Sequence, residues 1–289
     1  MDVYIRAEDD YTEFSQYLLS NEGYKRTPSR HQTTPYAQDV ESFYRHGSER
    51  TVRIIGTTHM PIEALLHESY TTACLNIITW NKAYCLFPRL TLARGKSYLL
   101  KDMDENFGKL LEEYEFLGWP SGNMLWANIE EVEDYLLQTR TIGGNSLIVR
   151  LARHDLCSPR KPDQVIEYSQ FQLQKSVYND IFLCPTPTKF LSSCALRHTY
   201  LLTSSHWESF VKKRLHMIAA AELYKIQPRS RSDRATRALN ADFIHLDEWP
   251  GLETTQPTKY DHINRPDTWT YADCLIREWY SQWAKNPQS

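Results

Sequence analysis

Residues 51–91 read TVRIIGTTHMPIEALLHESYTTACLNIITWNKAYCLFPRLT, the densest apolar stretch of the chain. Val52 to Ile55 has the apolar, Ile-rich character of a strand. Pro61 suits the first turn of a following helix, with Ile62, Leu65 and Leu66 as its apolar face. Ala73 to Thr79 lacks polar alternation and predicts a second strand, covered on both sides, before an aromatic-flanked turn from Trp80 to Pro88. Strand, helix and strand in one stretch set an α+β framework.

Upstream, Asp39 to Tyr44 and Thr51 to Ile55 predict a hairpin turning through His46-Gly47-Ser48-Glu49. Met1 to Arg6 reads as a short strand. A helix follows, with Glu8, Asp9 and Asp10 in its first turn, where the helix dipole favours negative charge. Tyr11, Phe14 and Leu18 form its buried stripe, Gly23 is its left-handed cap, and Lys25 to Pro35 reads as a loop.

Downstream, Phe107, Leu110, Leu111 and Tyr114 recur at helical spacing within an amphipathic helix over 104–114 that stops near Gly118. Asn128 and Glu131 have capping-box spacing ahead of a short helix to Gln138. Strands are expected over 147–151, 165–172 and 181–184. Ser205-His206-Trp207-Glu208 reads as a capping box opening the clearest helix, about 207–224. A last helix over about 268–283 has an apolar face of Trp269, Leu275, Ile276, Trp279 and Trp283 that must dock on something. No internal repeat is visible.

Net charge is −3, so no global field draws the chain to nucleic acid or anionic membrane. Aromatic residues reach 12%, which core packing accounts for more simply than base stacking. The six cysteines show no CxxC spacing, which argues against a zinc site and a disulfide framework. There is no signal peptide and no apolar run long enough to span a bilayer, so the expected compartment is cytoplasmic or nuclear.

Three segments carry a likeness: Asp2 to Ile5 followed by a helix and Gly23-Tyr24, then RIIGTTHMPIEALL (53–66), then NIITWNKAYCLFPRLT (76–91) before a helix ending at Tyr114 and Gly118-Trp119. In order and texture, residues 1–120 resemble the nucleotidyltransferase-like proteins of the polymerase-β superfamily, in particular divergent fungal and large-virus members. The resemblance implies a nucleotidyltransferase-like mixed sheet, a Gly-Ser turn for the triphosphate, and magnesium held by paired carboxylates and a third on a neighbouring strand.

This sequence departs from that pattern. Asp2 matches only the second acid of the pair and is the implied metal ligand. The Gly-Ser turn is missing, and the strand at Val52 to Gly56 has no carboxylate. Glu41, on the preceding strand, is the nearest substitute for the third acid. The resemblance therefore implies a nucleotidyltransferase-like protein with an incomplete metal and triphosphate site. The chain is then either an N-terminally truncated enzyme or a fold that persists without catalysis.

Other constellations read as structural. Gly143-Gly144-Asn145-Ser146 lacks the spacing and Lys of a phosphate loop, so it is a turn or bulge. His154-Asp155 with Cys157 and the lone His59 are loop residues, and no HExxH spacing occurs. Residues 102–134 carry ten carboxylates against one Lys. This acidic surface, or the Trp-rich last helix, could meet a partner protein. Lys212, Lys213 and Arg214 on the long helix, with Arg229, Arg231, Arg234 and Arg237 after it, could track a phosphate backbone, although an exposed linker has the same composition. The expected organisation is a core over 1–120, an α+β extension over 121–226, a mobile basic and polar linker over 227–266, and a C-terminal helix over 267–289.

Overall fold

The structure, a computed structural model, describes residues 1–6, 11–27, 34–47, 51–58, 60–79, 81–116, 118–151, 164–178, 180–230 and 265–285. The fold is α+β, with small sheets and flanking helices. Two compact units interleave along the chain. The first comprises Met1–Ile77, Cys85–Glu133 and Gln174–Pro185, and the second Ile78–Tyr84, Asp134–Leu173 and Thr186–Ser289.

The first unit is organised by a four-stranded sheet. Its strands are β1 (Asp2–Arg6), β2 (Lys25–Thr27), β3 (Ala37–Tyr44) and β4 (Thr51–Thr57), in the order β1-β4-β3-β2. β1 and β4 are parallel, and the β4–β3 and β3–β2 pairs are antiparallel. Two helices follow β1 and β4: α1 (Tyr11–Ser20) and α2 (Pro61–Glu68). α1 lays Tyr11, Phe14 and Leu18 over Val3, Ile5, Phe43, Val52 and Ile54. Gly23, at φ 69°, turns the chain out of α1 while Tyr24 N–H donates to Leu18 O at 3.0 Å.

α3 (Glu105–Phe116) buries Phe107 beside Leu99 and Phe182. The latter comes from a hairpin, Leu173–Lys175 with Leu183–Pro185, whose Leu183 N–H donates to Leu99 O at 2.9 Å.

The second unit is built on the long helix Ser205–Lys225 and the last helix Ile276–Lys285. Trp207, Val211 and Leu215 pack with Ile276, Trp279 and the strand residues Leu191, Tyr200 and Leu202. Two buried acids fasten this core. Asp273 accepts from the Arg197 and His198 N–H groups at 2.8 and 3.2 Å and from Tyr200 OH at 3.1 Å. Glu222 accepts from Thr270 N–H at 3.0 Å, from Thr270 Oγ1, and from Lys225 Nζ at 2.7 Å.

Several expectations change. Lys25–Thr27 is a short edge strand rather than loop, because its backbone pairs with 42–44 whatever its polar side chains prefer. The doubly covered strand over 73–79 shrinks to Asn76–Ile78, preceded by a 3-10 turn, and Ile78 is 75% exposed. The helix after Asn128 is confined to Asp134–Leu137. Within 165–172, Gln164–Glu167 is helical and only Gln170–Phe171 is strand. The long helix is capped by Ser204, not Ser205: its side chain accepts from Trp207 N–H at 3.3 Å. Residues 231–264, most of the expected linker, lie outside the described residues, as do Glu8, Asp9, Asp10, His59, His154, Asp155 and Cys157.

Candidate functional site

The register of the four-stranded sheet decides what the two expected acids can do. Arg53 on β4 lies beside Asp2 on β1 and Ser42 on β3, whereas Ile54 lies beside Val3 and Glu41. In-register neighbours project from the same side of a sheet. Asp2, Arg53 and Ser42 therefore share one face. Val3, Ile54 and Glu41 share the other, under α1.

Arg53 grips Asp2 through two hydrogen bonds, Nε to Oδ1 at 2.7 Å and Nη2 to Oδ2 at 2.5 Å. A fork of this kind matches the carboxylate plane and satisfies both oxygens with a fixed cation. The Asp2 bond holds the Arg53 pKa above its ordinary value against the opposing effect of burial. On the same face of β1, the Tyr4 phenol is pushed well up, first by burial and then by Asp2.

Glu41 accepts from Ser15 Oγ of α1 at 3.2 Å and pairs with Arg26 of β2 at 3.3 Å. Asp39 stands two residues earlier on the same face. A Cβ placed on Gly56 would meet Asp39 Cβ at 3.4 Å and the Tyr11 ring at 3.3 Å. Burial, then Glu41 and Asp39, push the Tyr11 phenol up to about 12. The i, i+2 carboxylate spacing therefore occurs on β3, in Asp39-Val40-Glu41. Glu41, the expected third acid, thus has Asp39 as a same-face neighbour, a spacing legible in the sequence itself.

These donors do not fit one magnesium ion held between Asp2 and Glu41. β4 separates their strands, they leave from opposite faces, and both Asp2 oxygens are engaged by Arg53. Among the described residues, no group of three or more His, Cys, Asp or Glu side chains could hold a metal ion.

No protein-family model, curated protein or solved structure matches this chain.

The long helix carries Lys212, Lys213 and Arg214 of the expected phosphate-tracking residues. Lys212 pairs with Glu208 at 2.8 Å, and the Arg214 guanidinium folds 3.5 Å over the Phe210 ring. Lys213 and Arg229 are exposed, whereas Arg231, Arg234 and Arg237 lie outside the described residues. Glu208 has its pKa lowered: burial opposes ionisation, but Lys189 and Lys212 prevail.

The acidic surface is more open. Glu105, Glu112, Glu113 and Glu115 are exposed along α3, and Glu130, Glu131 and Asp134 are exposed beyond it. Two of its acids serve the fold. Asp104 caps α3 by accepting from Phe107 N–H at 2.8 Å and also accepts from Tyr70 OH at 2.7 Å. Glu133 pairs with Arg94 and Arg89.

The apolar face of the last helix is spent inside its own unit. Tyr280 and Trp283 sit 5.2 and 5.5 Å from the Trp207 ring, and Trp279 is buried. Gly143 and Gly144 lie in a short helix, Ile142–Asn145, where Gly144 N–H donates to Thr141 Oγ1 at 3.1 Å. No described helix is long and apolar enough to cross a membrane.

Proposed function

We propose that the first unit is a nucleotidyltransferase-like scaffold that performs no nucleotidyl transfer and that the chain acts as a non-catalytic interaction module. The observation carrying this reading is the Arg53–Asp2 fork, which puts a guanidinium where the resemblance calls for a metal ion. A carboxylate bound on both oxygens by arginine must lose that pairing before it can bind a divalent cation, and the charge of Arg53 opposes the cation's approach. Glu41 offers no second ligand, since it projects from the other face toward Ser15 and Arg26.

The exposed acids of α3 are the better supported contact surface for a protein partner, because the Trp-rich face of the last helix is occupied within its unit. A phosphate-tracking role has less support, with Lys212 and Arg214 both engaged by neighbours.

The test is a titration of the full chain with ATP and GTP, with and without magnesium, followed by labelled-nucleotide incorporation into protein and RNA acceptors. The expected result is no magnesium-dependent binding and no incorporation. Magnesium-dependent binding or transfer that disappears in Asp2→Ala would overturn the reading.

A further inference from the structure

The strand Leu147–Arg150 stands at the end of its sheet, beside Lys82–Cys85. Its backbone direction can be read from one hydrogen bond: Leu151 N–H donates to Asn81 O at 2.8 Å, toward the neighbouring strand. Backbone groups alternate along a strand, so Leu147 and Val149 also turn inward. Ile148 and Arg150 direct their N–H and C=O groups to the outer edge. No strand pairs with that edge among the described residues.

The side chains add a second observation. Leu147, Val149 and Leu151 alternate, share one face, and are 44%, 51% and 39% exposed. An open edge bearing apolar side chains is a template for another strand.

The pattern Leu-x-Val-x-Leu reads the same in both directions, which selects the occupant. We infer that this edge pairs antiparallel with the same edge of a second copy of the chain, about a two-fold axis through Val149. In that register Ile148 and Arg150 of the two copies exchange both backbone hydrogen bonds, as their outward groups require. Val149 then meets Val149 in the closer, non-hydrogen-bonded pairing, and Leu147 meets Leu151 on either side. Arg150 faces Ile148, so the two arginines are not opposed. The interface closes on itself as an isologous dimer.

The strand is short and its area small, so association should be weak, with a dissociation constant on the order of 10–100 µM. Sedimentation velocity of the full chain over roughly 1–300 µM should show the average mass rising from one chain toward two. Val149→Lys, at a half-exposed position, should keep its circular dichroism and thermal midpoint yet weaken association at least about tenfold. Val149→Cys gives a register-specific readout. Under mild oxidation it should cross-link into a covalent dimer above the background of the six native cysteines, because a non-hydrogen-bonded antiparallel pair brings Cα atoms within disulfide range. Ile148→Cys should not cross-link. A single-chain mass at every concentration, self-association untouched by Val149→Lys, or cross-linking equal at 148 and 149 would each overturn the inference.

Discussion

At the residue scale, single side chains hold this fold through close approach and buried charge. A Cβ on Gly143 would lie 2.7 Å from Glu167 Cβ and 3.1 Å from the Glu167 carbonyl oxygen. Gly143→Ala should therefore lower stability by about 1–3 kcal/mol through overpacking, read as a lower denaturation midpoint at unchanged m-value. Asp273 satisfies two backbone N–H groups and the Tyr200 hydroxyl. Asp273→Ala leaves the buried Tyr200 hydroxyl and two part-buried N–H groups without their acceptor and should cost about 2–4 kcal/mol, whereas Tyr200→Phe removes one neutral donor and should cost about 1 kcal/mol. Equal losses in the two variants would show that the backbone donors find other acceptors.

At the element scale, the links between helices and strands titrate. His67 of α2 stacks on Tyr36, just ahead of β3, rings 4.2 Å apart and 3° from parallel. Burial, against the opposing pull of Glu68, holds its pKa below the ordinary 6.5. The unfolded chain therefore takes up the proton first as pH falls. The stabilisation from neutral His67 is present above about pH 6.5 and is lost on acidification below it. The thermal midpoint should fall between pH 7 and 5, and less steeply in His67→Phe, which keeps an aromatic ring but cannot titrate.

Glu222, which ties the long helix to Thr270, behaves in the same direction at lower pH. Burial opposes its ionisation, but bonds from Lys225 and Thr270 outweigh that and hold its pKa below 4.5. Its contribution is present above about pH 4.5 and fades as pH drops through the lowered value. Glu222→Gln should flatten the acid limb of the stability profile.

At the scale of the whole molecule, the two units are not consecutive stretches of chain. The first unit needs the hairpin over 174–185, which supplies Phe182 to Leu99 and Phe107 and the Leu183–Leu99 backbone bond. A fragment of residues 1–133 leaves that apolar site open. It should bind a hydrophobic dye and give poorly dispersed amide NMR signals, unlike the intact chain. A well-dispersed spectrum for the fragment would show that the hairpin is dispensable.

Local chemistry was sufficient for much of the architecture. Periodic apolar side chains marked α1, α2, α3 and the long helix. Gly23 marked the end of α1, and the two runs around His46-Gly47 marked the β3–β4 hairpin, because such signals depend on neighbours within a turn or two. Asp39-Val40-Glu41 was equally visible as spacing. What no linear reading could supply was partnership across distance. The Arg53–Asp2 fork joins residues fifty-one positions apart, and only strand register sends Glu41 to the opposite face. Lys25–Thr27 became strand because β3 had an edge to fill. Trp283 of the last helix found its dock on Trp207. Side-chain type sets what a residue can do, but the three-dimensional neighbour decides whether that capacity is free or already spent.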